Sequence, residues 1–185
     1  MSFSFSDVLI FSDACSINIG SSVLLTGGRY SLNRVSEYSE TGYVRDLPRL
    51  LQGRYRHGCS YFENEEGTKV DIDSNSSRVI IFQTFLVAGG YNNDNDLSST
   101  ELLRTNAVSW ILTGDLPSPR HGLRGANIDQ RVIMTGGVHG DGLDEVLEYK
   151  PNTREWSLVG QMLARRSYHG VSVVSAGDIG MFCSD

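Results

Sequence analysis

The chain is poor in proline, lysine and cysteine, and it has no long apolar run. Across 185 residues there are 4 prolines, 3 cysteines (Cys15, Cys59, Cys183) and only two lysines, Lys69 and Lys150. So few prolines, with glycines that show no period of three, exclude a collagen-like chain. No apolar stretch approaches the roughly 18 residues that a membrane-spanning helix needs, so no membrane role is expected. Residues 1–16 lack a basic start and carry Asp7 and Asp13, a poor match to a secretory signal. Three scattered cysteines are too few for a disulfide framework or a zinc site, which favours a reduced, cytoplasmic chain. The sequon Asn75-Ser76-Ser77 is a weak counter-signal. A formal net charge of −6 disfavours a nucleic-acid partner, because phosphate contact rests on clustered positive charge.

Glycine is what the chain has in quantity, 20 residues or about 11%, against a usual level of about 7%. Many glycines with few prolines point to tight turns and close strand packing, an all-β fold in one domain over residues 1–185. The cations are nearly all arginine, 14 of the 16. Arginine suits partly buried, bidentate pairing, so the bias points to structural bridges or a recognition surface.

Internal similarity organises these residues. Three apolar runs end in a glycine pair: Val23-Leu24-Leu25-Thr26-Gly27-Gly28, Phe85-Leu86-Val87-Ala88-Gly89-Gly90 and Val132-Ile133-Met134-Thr135-Gly136-Gly137. Each reads as a buried strand closed by a turn. Downstream, Leu103 and Tyr149 each stand seven residues before a tryptophan, Trp110 and Trp156, with a polar turn between. The first unit has Glu37-Tyr38, a turn at Thr41-Gly42, and Tyr43 in place of a tryptophan. Each unit closes on an arginine-rich turn: Arg54-Tyr55-Arg56-His57-Gly58, Arg120-His121-Gly122 and Arg165-Arg166-Ser167-Tyr168-His169-Gly170. The glycine pairs lie 62 and then 47 residues apart. An insertion at residues 71–84, between two strands, accounts for the excess. The units then cover residues 22–70 continued by 85–88, residues 85–131 and residues 132–174. Further strands are expected at residues 7–11 and 170–174.

Strand, glycine pair, hairpin to an aromatic and arginine turn, three times in order, resembles the kelch repeat, whose unit of about 50 residues is one blade of a β-propeller. The resemblance covers residues 22–174. It implies four-stranded antiparallel blades in an incomplete arc of three to four, since closed propellers have about 4–8. An arc leaves open edges and predicts self-association through them. Trp110 and Trp156 are expected to be buried equivalents between neighbouring blades, and the arginines to bond carbonyls or carboxylates of adjacent blades.

The chemistry-bearing residues read mostly as scaffold. His57 and His169 occupy equivalent positions in different units, and His121 and His139 sit in loops, so no metal set is expected. Residues 92–96 are rich in Asn and Asp but lack the glycine and glutamate of a calcium loop. Cys59 follows His57-Gly58, yet the repeat makes it an inward-facing strand residue matched by Ala126 and Val171, not a nucleophile. No cofactor is expected. The resemblance implies a non-enzymatic interaction module, an adaptor or scaffold that binds a peptide or protein partner, extended or acidic, through its loops. Carried over by position, it nominates Arg29, Tyr91, Arg54, Arg120 and Arg166 as partner-binding residues. Two alternatives remain: a small-molecule enzyme or specifier protein with a site in the propeller channel, and a truncated, non-functional fragment.

Overall fold

The computed structural model describes residues 12–63, 69–73, 76–80 and 83–174, and of residues 69–80 only the backbone. Sheet one is an antiparallel meander of β1 (Cys15–Ile19), β2 (Ser22–Thr26), β3 (Val35–Ser39) and β4 (Gly42–Asp46). Sheet two begins with β5 (Gly58–Glu63). The chain then makes a two-stranded hairpin, β6 (Lys69–Asp73) with β7 (Ser76–Ile80), and resumes the sheet with β8 (Gln83–Ala88), β9 (Thr100–Arg104) and β10 (Ile111–Thr113). Sheet three has β11 (Arg124–Ile128) and β12 (Arg131–Thr135), a short ribbon of β13 (Val138–His139) and β14 (Asp141–Gly142), then β15 (Glu145–Lys150) and β16 (Glu155–Gln161). The protein is all-β, three four-stranded antiparallel blades in an open arrangement, with β5 lying between β1 and β11.

The pattern of β8 shows how the blades stack. Phe85 and Val87 pack with Ile17, Leu24, Val35, Leu103 and Trp110 in the joint with sheet one. Leu86 and Ala88, pointing the other way along the same strand, pack with Leu123, Met134, Leu147 and Tyr149 in the joint with sheet three. A blade covered on both sides needs an unbroken apolar run, and β8 is buried from Thr84 to Ala88. Among the described residues β2 is covered on one side only: Leu24 is buried while Val23 and Leu25 are half-exposed. The expectation of buried strands holds for β8 and for Val132, Ile133 and Met134 of β12, and weakens in β2.

Both tryptophans donate their indole N–H to the preceding blade, Trp110 to the Pro48 carbonyl at 2.8 Å and Trp156 to the Gly114 carbonyl at 3.2 Å. Trp110 is buried in its joint, whereas Trp156 is half-buried beside Tyr149.

Several expectations need correction. The blades begin one strand earlier than the sequence units, because β1, β5 and β11 belong to the sheets of the glycine-pair strands that follow them. Thr84 lies inside β8 rather than in the inserted segment. Strand pairing matches Cys59 with Gly125, not Ala126. Residues 170–174 are exposed and form no strand among the described residues, while the expected strand at residues 7–11 lies outside them.

The cysteines are the largest departure. Cys15 of β1 and Cys59 of β5 are joined in a disulfide across 44 residues of sequence, which ties the first two blades at their inner strands. A link closing a loop of that length is worth about 2–4 kcal/mol. With it, the reduced state inferred from scattered cysteines loses its basis. Sequence separation hid the pair because only the stacking of blades makes β1 and β5 neighbours.

Candidate loop-face site

Among the described residues the arginine turns at Arg54 and Arg120 are shared between two blades, and that at Arg166 keeps the first half of the arrangement. The backbone of each turn belongs to the blade it leaves: the Arg54, Arg120 and Arg166 carbonyls accept the N–H groups of Gly28, Gly90 and Gly137 at 3.0, 2.8 and 3.0 Å. The glycine just before each of these, Gly27, Gly89 or Gly136, has φ near +60° and lies so close to the same carbonyl that a Cβ would collide with it. This is the physical reason for the glycine pair.

The arginine side chain belongs to the next blade. Arg54 is fully buried and donates to the carbonyls of Gly89 and Ser99, both at 2.8 Å, and to Glu101 Oε1 at 2.6 Å. Glu101, equally buried, also accepts the N–H groups of Leu51 and Gln52, so the charge pair is satisfied from all sides. Burial pushes the Arg54 guanidinium below its usual value against the opposing pull of Glu101. Arg120 repeats the arrangement toward the Gly136 carbonyl and Glu145. Arg166 keeps the local part: its Nε donates to the Ala164 carbonyl, as Arg54 does to Gln52 and Arg120 to Ser118. No following blade meets its Nη groups among the described residues, and it is exposed.

Two residues after each arginine, the backbone turns left-handed. Arg56, Gly122 and Tyr168 have φ of 57°, 68° and 56°, and Asp13, ahead of sheet one, has 61°. They form a ladder in which Arg56 N–H bonds the Asp13 carbonyl, Gly122 N–H that of Arg56, and Tyr168 N–H that of Gly122, at 2.7–2.8 Å. The ladder sets neighbouring side chains in a circuit on one loop face. Ring centres of Tyr55 and Tyr91 are 5.6 Å apart, Tyr91 and His121 5.7 Å, and His121 and Tyr168 5.8 Å. Arg56 closes the circuit over Tyr168 at 5.3 Å and Tyr55 at 5.5 Å. Asp96 bridges His121 and His139 beside it.

The nominated residues therefore separate. Arg29 is exposed and Tyr91 half-buried at this face, while Arg54 and Arg120 are buried in the joints beneath and are not available to a partner. Arg166 is exposed at the open end of sheet three. The sequence reading passed over Tyr55, Arg56, His121 and Tyr168. The signal was their place one or two residues beyond the chosen arginines, at a turn that tolerates positive φ. Among the described residues no group of His, Cys, Asp and Glu is arranged to hold a metal ion.

His57 and His169, one residue further on, face inward. Each shares a hydrogen bond with the last threonine of the preceding blade's second strand, Thr26 at 2.7 Å and Thr135 at 2.8 Å. In the middle blade the equivalent residues are Leu123 and Ala88, both buried. The slot is a packing position.

No family model matches the chain. Host cell factor homolog hcf-1 of Caenorhabditis elegans is 33% identical over 66 residues, which is 34% of this chain and 8% of that protein. Among solved structures, YjhT superposes with a TM-score of 0.60 at 14% identity, covering 83% of this chain and 52% of its own. The chain thus spans about half of that structure, and the likeness is one of fold alone: four-stranded antiparallel blades in an open arc.

Two predictions follow from the turns. Arg54→Ala removes its bonds to sheet two and leaves Glu101 buried without its cation, so urea denaturation should show a loss of about 3–5 kcal/mol. Arg166→Ala should change stability by no more than about 0.5 kcal/mol; a loss comparable to that of Arg54→Ala would mean that something covers Arg166. The second concerns acid. Burial, then Arg54, hold His57 down to about 3 from an ordinary 6.5, so between those values the unfolded chain takes up a proton that the folded chain refuses. Its contribution is complete above 6.5 and is lost as pH falls toward 3, by at most about 1.4 kcal/mol per pH unit. Thr26→Ala with His57→Leu, which copies the Ala88–Leu123 pair, should flatten stability against pH in that window; an unchanged slope would assign the acid sensitivity elsewhere.

Proposed function

We propose that the chain is a non-enzymatic interaction module of kelch type, an adaptor or scaffold that holds a peptide or protein partner against its loop face. The observation that carries this reading is the circuit of Tyr55, Tyr91, His121, Tyr168 and Arg56, which the backbone ladder sets in place before any partner arrives. Tyrosine and arginine are the residue types in which binding energy concentrates. Side chains already ordered lose less entropy on binding. Self-association through the open end is a second reading, favoured by the exposure of Leu158 in β16 and of Leu163 after it; light scattering at rising concentration checks it.

The test is affinity capture on the full chain, with each captured protein purified and its binding measured directly. A partner of the loop face should bind about tenfold or more weakly to Tyr91→Ala with Tyr168→Ala, whose circular dichroism melt matches the parent. Captured proteins that all bind the double variant as tightly as the parent would refute the reading, as would turnover of a small molecule at this face.

A further inference from the structure

Among the described residues, the loop corner of sheet one gathers cations that its own acids neutralise only in part. Asp13 Oδ2 lies 3.4 Å from Arg29 Nε and 3.3 Å from Arg56 Nε, so a single carboxylate oxygen serves two guanidinium groups. Both guanidiniums stack on Tyr55, 5.4 and 5.5 Å from its ring centre. The arrangement recurs nearby. Asp46 accepts from Arg34 Nε at 3.1 Å and from the Ser36 hydroxyl at 2.6 Å. Ser36 first, then Arg34 and Arg49, hold its carboxyl below the usual range. Arg49 also donates to Asn33. Arg34, Asp46 and Arg49 line one groove with Tyr30, which is 80% exposed.

Four arginines thus stand against two aspartates, on a chain whose formal charge is −6. Each pair keeps one positive charge after its own acid is counted. Tyr30, next to Arg29 in sequence and lining the groove of Arg34 and Arg49, connects the two. The positive charge left over at this corner attracts an acidic ligand to it.

We propose that this corner binds an acidic peptide segment, two of whose carboxylates complete the two arginine pairs, one at Arg29 and Arg56 and one at Arg34 and Arg49. The inference rests on the interaction reading above and adds the partner's chemistry to it. Asp13 and Asp46 are specificity-determining residues: they order the guanidiniums in the free chain and compete with the ligand for them. Arginine suits the task because its planar fork matches a carboxylate in two-point contact.

The experiment uses the full, isotopically labelled chain and two capped peptides, Ac-Gly-Glu-Gly-Glu-Gly-NH2 and its glutamine counterpart, at low ionic strength. The arginine Nε–H signals and the backbone signals of the loop face are followed by NMR. The glutamate peptide should shift Arg29, Arg34, Arg49 and Arg56 and bind about tenfold more tightly than the glutamine peptide. Raising salt to about 0.5 M should weaken it several-fold. Asp13→Asn should tighten it, and Arg29→Gln with Arg49→Gln should abolish the preference for glutamate. Equal responses to both peptides at Tyr91 and His121 would overturn the acidic corner while leaving the interaction reading standing. No response to either peptide anywhere on the loop face would count against both.

Discussion

The contact on which the rest of this fold depends is the buried guanidinium of a blade-joining turn. A four-stranded sheet with two apolar faces cannot stand alone, and the apolar packing of Phe85, Val87 and Trp110 against sheet one sets no unique register by itself. Arg54 supplies one. Its two carbonyl acceptors and the Glu101 carboxylate accept only one placement of sheet two, since a misplaced blade would leave two opposite charges buried apart. Apolar area provides the attraction, and the ion pair provides the address.

Loop presentation follows from the same contact. Because Arg54 and Arg120 are spent inside the joints, the residues just beyond them are placed by the joint rather than by their own packing. Tyr55 and His121 are cross-bonded to Tyr91 and Val138 through backbone pairs, and the left-handed ladder from Asp13 to Tyr168 fixes their spacing. A surface built this way can vary its side chains freely while the framework stays constant. Arginine, glycine and tyrosine all occur at the left-handed position.

Legibility in the sequence divides along this line between local and stacked features. The glycine pairs, the residue seven before each tryptophan and the arginine turns were readable because each answers to a constraint within one blade or one turn. The phase of the blades was not, because β1, β5 and β11 lack a shared motif and vary from Cys-Ser-Ile-Asn-Ile to Arg-Gly-Ala-Asn-Ile. The Cys15–Cys59 link was not, because it joins two blades. Arg54 and Arg120 carried two expectations, bridging adjacent blades and binding a partner; their bonds to Gly89, Glu101 and Glu145 are the bridges, and the burial those bridges require removes both side chains from a partner's reach. The residues of the loop-face circuit, Tyr55, Arg56, His121 and Tyr168, stand one or two positions from the nominated arginines.

Arg166 shows how far the joint can be taken apart. Its carbonyl holds Gly137, its N–H holds the Leu143 carbonyl, and its Nε returns to Ala164, as at the two complete joints. These backbone contacts all lie within the blade the turn leaves. What differs is the side chain, which is buried at Arg54 and Arg120 and exposed at Arg166. Tyr168 nevertheless takes the same left-handed φ as Arg56 and reaches both Arg56 and His121. Among the described residues, presentation of the loop face follows the backbone half of the joint, which all three turns share. The side-chain half determines how firmly successive blades are held together, and the two properties can vary independently along the chain.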